Sequence, residues 1–334
     1  SQYGQDILEL LPDYYLKTTT FDENIYAVPS YKDQVSNVYA CMRKDILEMT
    51  GLEADAKNIQ SLDDLESIFE QVQQQTDIQH PVACDANNGV MAYLPVLFEN
   101  EFSEGVHYDE VLTNAAYIME GEPDTIVNLY DTEIFEAVCR RTRDWYDKDY
   151  IYINESGDMA QSYSNSFCVF LVAENATYMS GLSQARSLGY DYEVVKIGSS
   201  MVTTGMINTI SWVVPVNSKY PEAAIKFLSL MYTNKEIVDL LNYGQEDIDY
   251  VVLEDGTYDF PEGINMNNCQ YNDNLSWLFG NQYLSGVWAG SAPDTREVSA
   301  QINAEASCSP LLGFTADVSG MENEIAAVGN VYNE

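Results

Sequence analysis

Short apolar runs alternate with amphipathic stretches of helical periodicity along most of this chain. "FCVFLVA" at residues 167–173 and "YEVVKIG" at 192–198 have the length and apolar content of buried strands, and we expect short strands in the opening stretch as well. The clearest helix covers residues 61–75, which Ser61 is placed to cap. Its apolar face consists of Leu62, Leu65, Ile68, Phe69 and Val72. This alternation predicts an α/β fold with mainly parallel sheets that helices cover on both faces.

Further helices are predicted over residues 132–148, over 233–241 and from Ser319 onward, where Glu322 is the third residue. Trp145 falls on the apolar stripe of the first of these helices, so we expect it in the core. The second opens with Thr233 and Glu236 in the spacing of a capping box, and Gly244 is placed to end it.

The segment "INTISWVVPVNSKYPEAAIKFLSLMY" (207–232) joins a strand to a helix. Its apolar run carries Trp212 and stops at Pro215, and a helix restarts at Pro221 after a polar turn. Proline suits the first helical turn, since its missing N–H would have no helical partner there. Because ligands of α/β proteins bind beyond the carboxyl ends of strands, Trp212 is placed where a side chain can reach a cleft.

Size and charge limit the function. The chain has 334 residues, which favours two lobes, and no obvious linker separates them, so we expect each lobe to be built from discontinuous segments. The formal net charge of -38 disfavours nucleic acid and anionic membrane surfaces as partners and favours neutral or cationic ligands. No stretch reaches the roughly 20 consecutive apolar residues of a membrane span.

The sequence carries few residues for cofactor, metal or nucleophile chemistry. The two histidines have no nucleophile motif around them, and no dinucleotide, phosphate-loop or zinc motif occurs, so we predict no cofactor and no catalytic residue. Residues 144–158 and 254–259 hold possible calcium ligands, but solvated turns explain them better. The six cysteines lie far apart, which leaves one or two disulfides open; Cys139 and Cys168 are predicted to be buried thiols.

Aromatic residues are the main chemical resource of the chain, which has 25 Tyr, 11 Phe and 4 Trp. Tyrosine and tryptophan present flat apolar faces with a polar edge, a surface that stacks on the C–H face of a sugar ring. Trp277 and Trp288 lie in a segment rich in glycine and polar residues (274–294), so a core position explains them less well. Together with Trp212, they are candidates for the wall of a ligand cleft.

Three segments in order resemble the extracellular solute-binding proteins of family 1, the ligand-capturing subunits of ABC importers. They are "FDENIYAVPSYKD" (21–33), "SKYPEAAIKFLSLMYTNKEIVDLLNYG" (218–244) and "SCSPLLGFTADVSGMENEIAAVGNVYNE" (307–334). The resemblance implies a periplasmic-binding-protein type II fold, in which two lobes close about a hinge. It divides the chain into a remnant of the N-terminal lobe (1–30), the C-terminal lobe (31–206), a return to the first lobe (207–254) and a C-terminal module packed on both lobes (255–334).

The resemblance also implies a function. The protein would be a non-enzymatic, monomeric receptor that captures a mono- or oligosaccharide and delivers it to a membrane permease. It would be extracellular, held at the cell surface by an N-terminal lipid anchor that lies outside this chain, since family members have on the order of a hundred residues before the stretch 3–15. Ligand contacts are expected from Tyr31, Lys32, Asn88, Tyr178, Asn208, Trp212, Trp277 and Trp288.

Other interpretations stay open from the sequence alone. Asn88 is also placed to cap a helix, and Tyr31 and Lys32 are also consistent with an exposed loop. The ligand class includes peptides and other polar solutes. A secreted glycoside hydrolase with a carboxylate pair is the alternative function, and an adhesion module is a third.

Overall fold

The structure is a computed structural model that describes residues 3–35, 37–85, 108–112, 116–119, 122–154, 158–173, 185–186, 188–199, 201–273 and 275–333. The chain forms two compact units, each built from two segments. Unit 1 comprises Ser1–Val35 and Val202–Thr315, and unit 2 comprises Ser36–Met201 and Ala316–Glu334. The predicted passages at 30/31 and 206/207 differ from these by a few residues, whereas the C-terminal segment 255–334 is divided between the two units.

The helices of the described part, numbered in chain order, are α1 Gln5–Leu10, α2 Asp13–Lys17, α3 Lys44–Thr50, α4 Glu53–Lys57, α5 Leu62–Gln75, α6 Glu133–Asp147, α7 Met159–Asn165, α8 Thr204–Asn208, α9 Pro221–Thr233, α10 Lys235–Tyr243, α11 Thr295–Glu305 and α12 Glu322–Asn333. Two short 3-10 helices cover Leu129–Asp131 and Gln282–Leu284.

The strands of the same part are β1 Thr20–Phe21, β2 Asn24–Ile25, β3 Val28–Pro29, β4 Asn37–Arg43, β5 Val82–Asp85, β6 Tyr108–Leu112, β7 Ala116–Met119, β8 Glu122–Val127, β9 Ile151–Asn154, β10 Cys168–Ala173, β11 Tyr192–Ser199, β12 Ser211–Trp212, β13 Val251–Val252 and β14 Tyr258–Asp259.

Unit 2 is organised around a five-stranded sheet in the order β11-β4-β10-β5-β9. Strand β4, whose seven residues are all buried, pairs antiparallel with both β10 and β11. Strands β10, β5 and β9 then run parallel to one another. The sheet is therefore mixed: β4 runs against the other four strands, so the prediction of a mainly parallel sheet holds for those four strands and fails for β4. An uninterrupted apolar run shows that a strand is buried on both faces, but it does not show the direction of its neighbours.

Helices α5 and α6 carry the core of unit 2. The Ser61 hydroxyl accepts a hydrogen bond from the Asp64 N–H at 3.1 Å, so the predicted helix and its cap are confirmed. Trp145 is fully buried, as predicted, and its ring meets Phe69 edge to face with centroids 5.5 Å apart. The Trp145 indole N–H donates to the carboxylate of Glu66, at a nitrogen–oxygen distance of 3.2 Å. This bond links the two helices at the edge of the core.

Unit 1 combines helices with three ladders of two strands each, β1–β2, β3–β12 and β13–β14. Helix α9 begins with Pro221 in its first turn, as predicted, and the buried hydroxyl of Tyr232 near its end donates to the Pro29 carbonyl at 2.7 Å. The opening stretch forms α1 and α2 instead of strands. Ile7 in α1 and Tyr15 in α2 are both buried, and Pro12 separates the two helices.

Local details of three other predictions differ from the structure. The cap of α10 is Asn234, whose side-chain oxygen accepts from Ile237 N–H at 3.0 Å, and the predicted cap Thr233 is the last residue of α9. Gly244 ends α10, as expected. Helix α12 begins at Glu322. Cys168 is a buried free thiol, as predicted, but Cys139 is exposed because it lies on the solvent side of α6.

Candidate functional site

Tyr31 lies in unit 1 just before the chain passes to unit 2, and the segment after Gly280 holds its backbone. The Tyr31 N–H donates to the Gly280 carbonyl at 2.7 Å, and the Gln282 N–H donates to the Tyr31 carbonyl at 2.8 Å. Gly280 has φ +66°, and a Cβ there would lie 2.3 Å from the Met231 carbonyl oxygen. This close approach requires glycine and places Tyr283 beside Tyr31.

Tyr31 is part of a row of four tyrosine rings. Its ring centroid lies 4.9 Å from that of Tyr283 and 5.5 Å from that of Tyr15, both in edge-to-face geometry, and Tyr15 lies 5.1 Å from Tyr14. Tyr15 is buried, whereas the other three rings are half-buried. We call Tyr14, Tyr15, Tyr31 and Tyr283 the tyrosine row. The buried ring of Tyr15 therefore packs against Tyr14 and Tyr31, and Tyr283 extends the row from Tyr31.

Burial raises the pKa of the hydroxyls in the tyrosine row. It raises the pKa of Tyr14 to about 12 and also raises the pKa of Tyr31. Burial and, to a smaller extent, the Asp33 carboxylate raise the pKa of Tyr283. A tyrosine hydroxyl is protonated at neutral pH in any case, and the raised pKa values extend this neutral state into more alkaline solution.

Polar side chains fix the backbone that carries Tyr31. Asn303 on α11 is buried; its amide nitrogen donates to the Tyr15 hydroxyl at 3.1 Å, and its amide oxygen accepts from the Gln34 N–H at 2.9 Å. The Gln282 side-chain oxygen accepts from the Asp33 N–H at 3.1 Å. Because several hydrogen bonds hold this short segment, the rings on it are set in place before any ligand arrives.

Lys32, a predicted ligand residue, is half-buried beside the tyrosine row. Its ammonium group donates to the Asp33 carbonyl at 3.1 Å, and its own carbonyl accepts from the Tyr15 hydroxyl at 3.3 Å. The structure thus brings Tyr31 and Lys32 together with Asp33 on one surface of unit 1.

Trp212, another predicted ligand residue, is half-buried in strand β12. Its indole N–H donates to the Leu278 carbonyl at 2.8 Å, and its ring lies 6.3 Å from Phe279. The polar edge of the indole is thus engaged by backbone, and the exposed part of the ring is an apolar face. That face lines an apolar pocket of unit 1.

Asn208 ends helix α8 and is bonded to Thr18 through both ends of its amide. Its nitrogen donates to the Thr18 carbonyl at 2.9 Å, and its oxygen accepts from the Thr18 hydroxyl at 2.6 Å. This pair ties α8 to the end of α2, and a ligand contact by Asn208 stays a prediction.

Trp288 and Trp277 lie in different surroundings. Trp288 stacks on Phe260 with centroids 4.7 Å apart and packs against the buried rings of Tyr243, Tyr250 and Tyr258. Trp277 is 41% exposed. Asn88 and Tyr178 lie outside the described residues. The structure therefore does not place Trp277 or Trp288 in the tyrosine row.

Sequence reasoning missed Tyr14, Asp33, Tyr283 and Asn303. Tyr283 lies within the segment 274–294 that was selected for its tryptophans, so its aromatic character was a usable signal. Asn303 gave no sequence signal, because an asparagine in a helix is usually exposed and its partner Gln34 is 269 residues away in the chain.

The arrangement can hold a polyhydroxylated ring. The half-buried tyrosine rings offer apolar faces for stacking, and the neutral hydroxyls of Tyr14 and Tyr31 can exchange hydrogen bonds with ligand hydroxyls, whereas the Tyr283 hydroxyl is buried. Asp33 adds an acceptor and Lys32 adds a donor at the same surface. Among the described residues, no group of three or more His, Cys, Asp and Glu side chains is arranged to hold a metal ion.

The chain matches the bacterial extracellular solute-binding protein family over residues 2–245. It belongs to this family. The predicted family is thereby confirmed, and the first two of the three sequence segments lie within the match. The match includes the segment of Tyr31 and Lys32, and it ends just after helix α10.

A carbohydrate ABC transporter substrate-binding protein of Streptococcus pneumoniae is a relative of this solute-binding protein. The two are 24% identical over 343 residues, which cover 99% of this chain and 65% of the relative. The chain thus spans slightly less than two thirds of the length of that relative.

Solved structures of solute-binding proteins share the fold. The N-glycan transport solute-binding protein (NgtS) of Streptococcus pneumoniae matches with a TM-score of 0.76 and 22% identity. The match covers 99% of this chain and 70% of the NgtS chain. Its complex with Man1GlcNAc has a TM-score of 0.66 and 22% identity, with 99% and 71% coverage. The alginate-binding protein AlgQ2 without calcium ion has a TM-score of 0.51 and 16% identity, with 99% and 64% coverage. The predicted α/β fold with two discontinuous lobes is confirmed.

Proposed function

We propose that this protein is the substrate-binding receptor of an ABC importer, and that it captures a mono- or oligosaccharide and passes it unchanged to a membrane permease. The family membership supports the receptor class. The carbohydrate ligand is supported by the name of the pneumococcal relative and by the glycan complex of a protein with the same fold. The permease is the partner that an importer receptor requires, and the receptor acts as a monomer.

The tyrosine row is the observation that carries this proposal. Tyr31 and Tyr283 meet edge to face at 4.9 Å, and the backbone under both is fixed by hydrogen bonds. A sugar ring can place its C–H face on such an aromatic surface. Because little has to be ordered when the ligand arrives, less binding free energy is lost to conformational entropy.

We assign the central ligand contacts to Tyr31 and Tyr283, and add Tyr14, Lys32 and Asp33 at the same surface. The remaining sequence-predicted positions stay predictions of ligand contact: Asn88, Tyr178, Asn208, Trp212, Trp277 and Trp288. A neutral or cationic sugar fits this surface better than an anionic one. Asp33 lies beside the rings, and the formal net charge of -38 disfavours an anion at long range.

The family name supports an extracellular location, and we propose that a lipid anchor outside this chain holds the protein at the cell surface. None of the described helices combines the length and the apolar character that a membrane crossing demands. Anchoring by a lipid would leave the receptor free to meet solute near the permease.

The test is calorimetric titration with a panel of neutral oligosaccharides, followed by mass spectrometry of the recovered sugar. We expect stoichiometric binding and unchanged sugar. Tyr283→Ala and Tyr31→Ala should each weaken binding about tenfold or more, since about 1.4 kcal/mol of lost stacking is a factor of ten. Tyr31→Phe should keep most of the affinity because the ring remains.

The matched control is Tyr146→Ala, which removes an exposed tyrosine from α6 in unit 2 and should leave the affinity unchanged. Steady release of shorter sugars would instead support the glycoside hydrolase alternative. Equal affinity of the wild type and Tyr283→Ala would remove the tyrosine row from the binding site.

A further inference from the structure

The segment from Asn281 to Gly286 carries Tyr283, and we call it the Tyr283 segment. Its first residue is tied to helix α9, because the Asn281 N–H donates to the Met231 carbonyl at 3.1 Å. Its last residue is tied to helix α10, because the Gly286 N–H donates to the carboxylate of Asp239 at 2.9 Å. Tyr283 lies between these two attachments. The position of its ring therefore depends on both helices.

Asp239 is a carboxylate that is buried inside unit 1, where 4% of the residue is exposed. Besides the Gly286 N–H, its oxygens accept from the Lys235 ammonium at 2.8 Å and from the Tyr258 hydroxyl at 2.6 Å. Burying a charge is costly unless the charge is paired and hydrogen-bonded, and these donors meet that requirement. Such a pair contributes little net stability, but it fixes the geometry of the groups that it joins.

Two further side chains of α10 hold the same end of the segment. The Lys235 ammonium donates to the Leu284 carbonyl at 3.1 Å, and the buried Tyr243 hydroxyl donates to the Gly286 carbonyl at 2.8 Å. Lys235, Asp239 and Tyr243 follow one another at intervals of four residues, so they lie on one face of the helix. One face of α10 thus bonds the backbone of the segment at Leu284 and at Gly286.

Close packing restricts the same end of the segment. A Cβ on Gly286 would lie 2.0 Å from the Tyr258 ring, so only glycine fits there. The Ser285 hydroxyl donates to the Gln282 carbonyl at 2.7 Å, which closes the short helical turn that contains Tyr283. Because packing and hydrogen bonds act together, the backbone under the Tyr283 ring has little freedom to move.

We propose that Asp239 and Lys235 are positioning residues of the sugar site. They fix the end of the Tyr283 segment and so hold the ring of Tyr283 against Tyr31, where the two centroids are 4.9 Å apart. Both act through Tyr283 and not by contact with the sugar. The inference rests on the proposed function, in which the Tyr283 ring binds the sugar. A loose ring would have to be ordered on binding, and the entropy lost would weaken the affinity.

A double-mutant cycle tests whether these residues act through Tyr283. The probe is the neutral oligosaccharide of the titration panel that the wild type binds most tightly, and calorimetry measures its affinity. We expect Asp239→Ala to weaken binding about fivefold or more in the wild-type background, but less than about twofold when Tyr283 is already alanine. Lys235→Met loses the bond to the Leu284 carbonyl and should show the same pattern with a smaller loss.

Two further variants separate position from stability. Asp239→Asn keeps an oxygen that can accept from the Gly286 N–H, so it should retain most of the affinity although it loses the charge pair with Lys235. The control Glu66→Ala removes a carboxylate of unit 2 that accepts from the buried indole of Trp145. It should lower the melting temperature and leave the sugar affinity unchanged.

Hydrogen exchange gives a readout that needs no sugar. The Gln282 N–H, which donates to the Tyr31 carbonyl at 2.8 Å, reports on the backbone beside Tyr283. In Asp239→Ala, this amide and that of Gly286 should exchange about tenfold faster or more, because their segment opens locally. The amides of α5 in unit 2 should exchange as in the wild type.

An equal loss of affinity in both backgrounds of the cycle overturns the proposal, because Asp239 would then act elsewhere than through Tyr283. Faster exchange with unchanged affinity also overturns it, and the sugar site itself would stand. If the wild type binds no sugar, or Tyr283→Ala binds as tightly as the wild type, the proposed function fails before any α10 variant is measured. If Asp239→Ala does not fold, the cycle with Lys235→Met decides, since that side chain is 55% exposed.

Discussion

Individual tyrosines of unit 1 show how position determines what one side chain can do. Tyr15 is fully buried and bonded to Asn303, so it supports its neighbours. Tyr31 has the same chemistry but is half-buried, so its ring can meet a ligand. The functional difference between them is the exposed fraction of the ring.

The tyrosine row predicts a loss of stability in alkaline solution. Burial raises the pKa of Tyr14 to about 12 in the folded protein, whereas an unfolded tyrosine ionises with a pKa of about 10. The unfolded state therefore loses its proton first as pH rises, so this contribution to stability is fully present below about pH 10 and is lost toward pH 12. Urea unfolding across this range should give a falling free energy of unfolding, and Tyr14→Phe should reduce the slope. The same slope in both proteins would contradict the assignment.

Glu66 predicts a second effect of a single residue. Its carboxylate accepts from the Trp145 indole at 3.2 Å and from Arg141 at 2.7 Å, and it also pairs with Lys148. Glu66→Ala leaves the buried indole N–H without its acceptor, and we expect a loss of about 2 kcal/mol in the free energy of unfolding.

Glu66→Gln should lose less, because its amide oxygen can still accept from the indole. The control residue Glu70 lies one turn further along α5 and is exposed. Glu70→Ala should change the free energy of unfolding by less than about 0.5 kcal/mol. Chemical denaturation measures all three variants; equal effects of Glu66→Ala and Glu70→Ala would show that the bond to Trp145 contributes nothing.

At the scale of elements, helix α10 offers a test of its cap. Asn234 accepts from the Ile237 N–H at 3.0 Å, so Asn234→Ala should cost about 1 kcal/mol. The Thr233 hydroxyl instead donates back to the Ser229 carbonyl at 2.8 Å, and Thr233→Ala should be close to neutral. Urea unfolding distinguishes the two. A larger loss at Thr233 would restore the cap expected from the capping-box pattern.

Helices with a strong amphipathic pattern were predictable because the pattern and the burial have the same cause. The apolar positions of α5 recur at helical spacing, and the structure buries all five of them. The opening stretch was harder, since its apolar residues are interrupted by Pro12 between two short helices. Strand direction in the sheet of unit 2 was not accessible, because it depends on which distant segments pair.

The candidate site was predictable only in part, because some of its residues are far apart in the chain. Tyr31 and Lys32 lie within the segment 21–33, which resembles a known family, so their position carried information. Tyr283 contacts Tyr31 although it lies 252 positions later in the chain. Asn303 contacts Lys32 although it lies 271 positions later. Local periodicity reports on neighbours within a few turns and carries no signal about such pairs.

At the scale of the whole molecule, the net charge of -38 predicts that salt stabilises the fold. Raising NaCl from about 0.05 M to about 0.5 M shortens the screening length from roughly 14 Å to roughly 4 Å and weakens repulsion between surface carboxylates. The melting temperature should rise, and choline chloride should act like NaCl if screening is the cause. A falling melting temperature would show that ion pairs such as Arg141–Glu66 outweigh the repulsion.

The division of unit 1 into two distant segments has a consequence during translation. All five strands of the unit 2 sheet lie between Asn37 and Ser199, so they leave the ribosome as one block. Strand β3 emerges before them, but its partner β12 follows after them, and Tyr283 emerges later still. The nascent chain therefore contains every strand of the unit 2 sheet before β12, the partner of β3, has been synthesised. A stop codon before Ser211 would leave β3 without β12 and Tyr31 without Tyr283, although every strand of that sheet had been made.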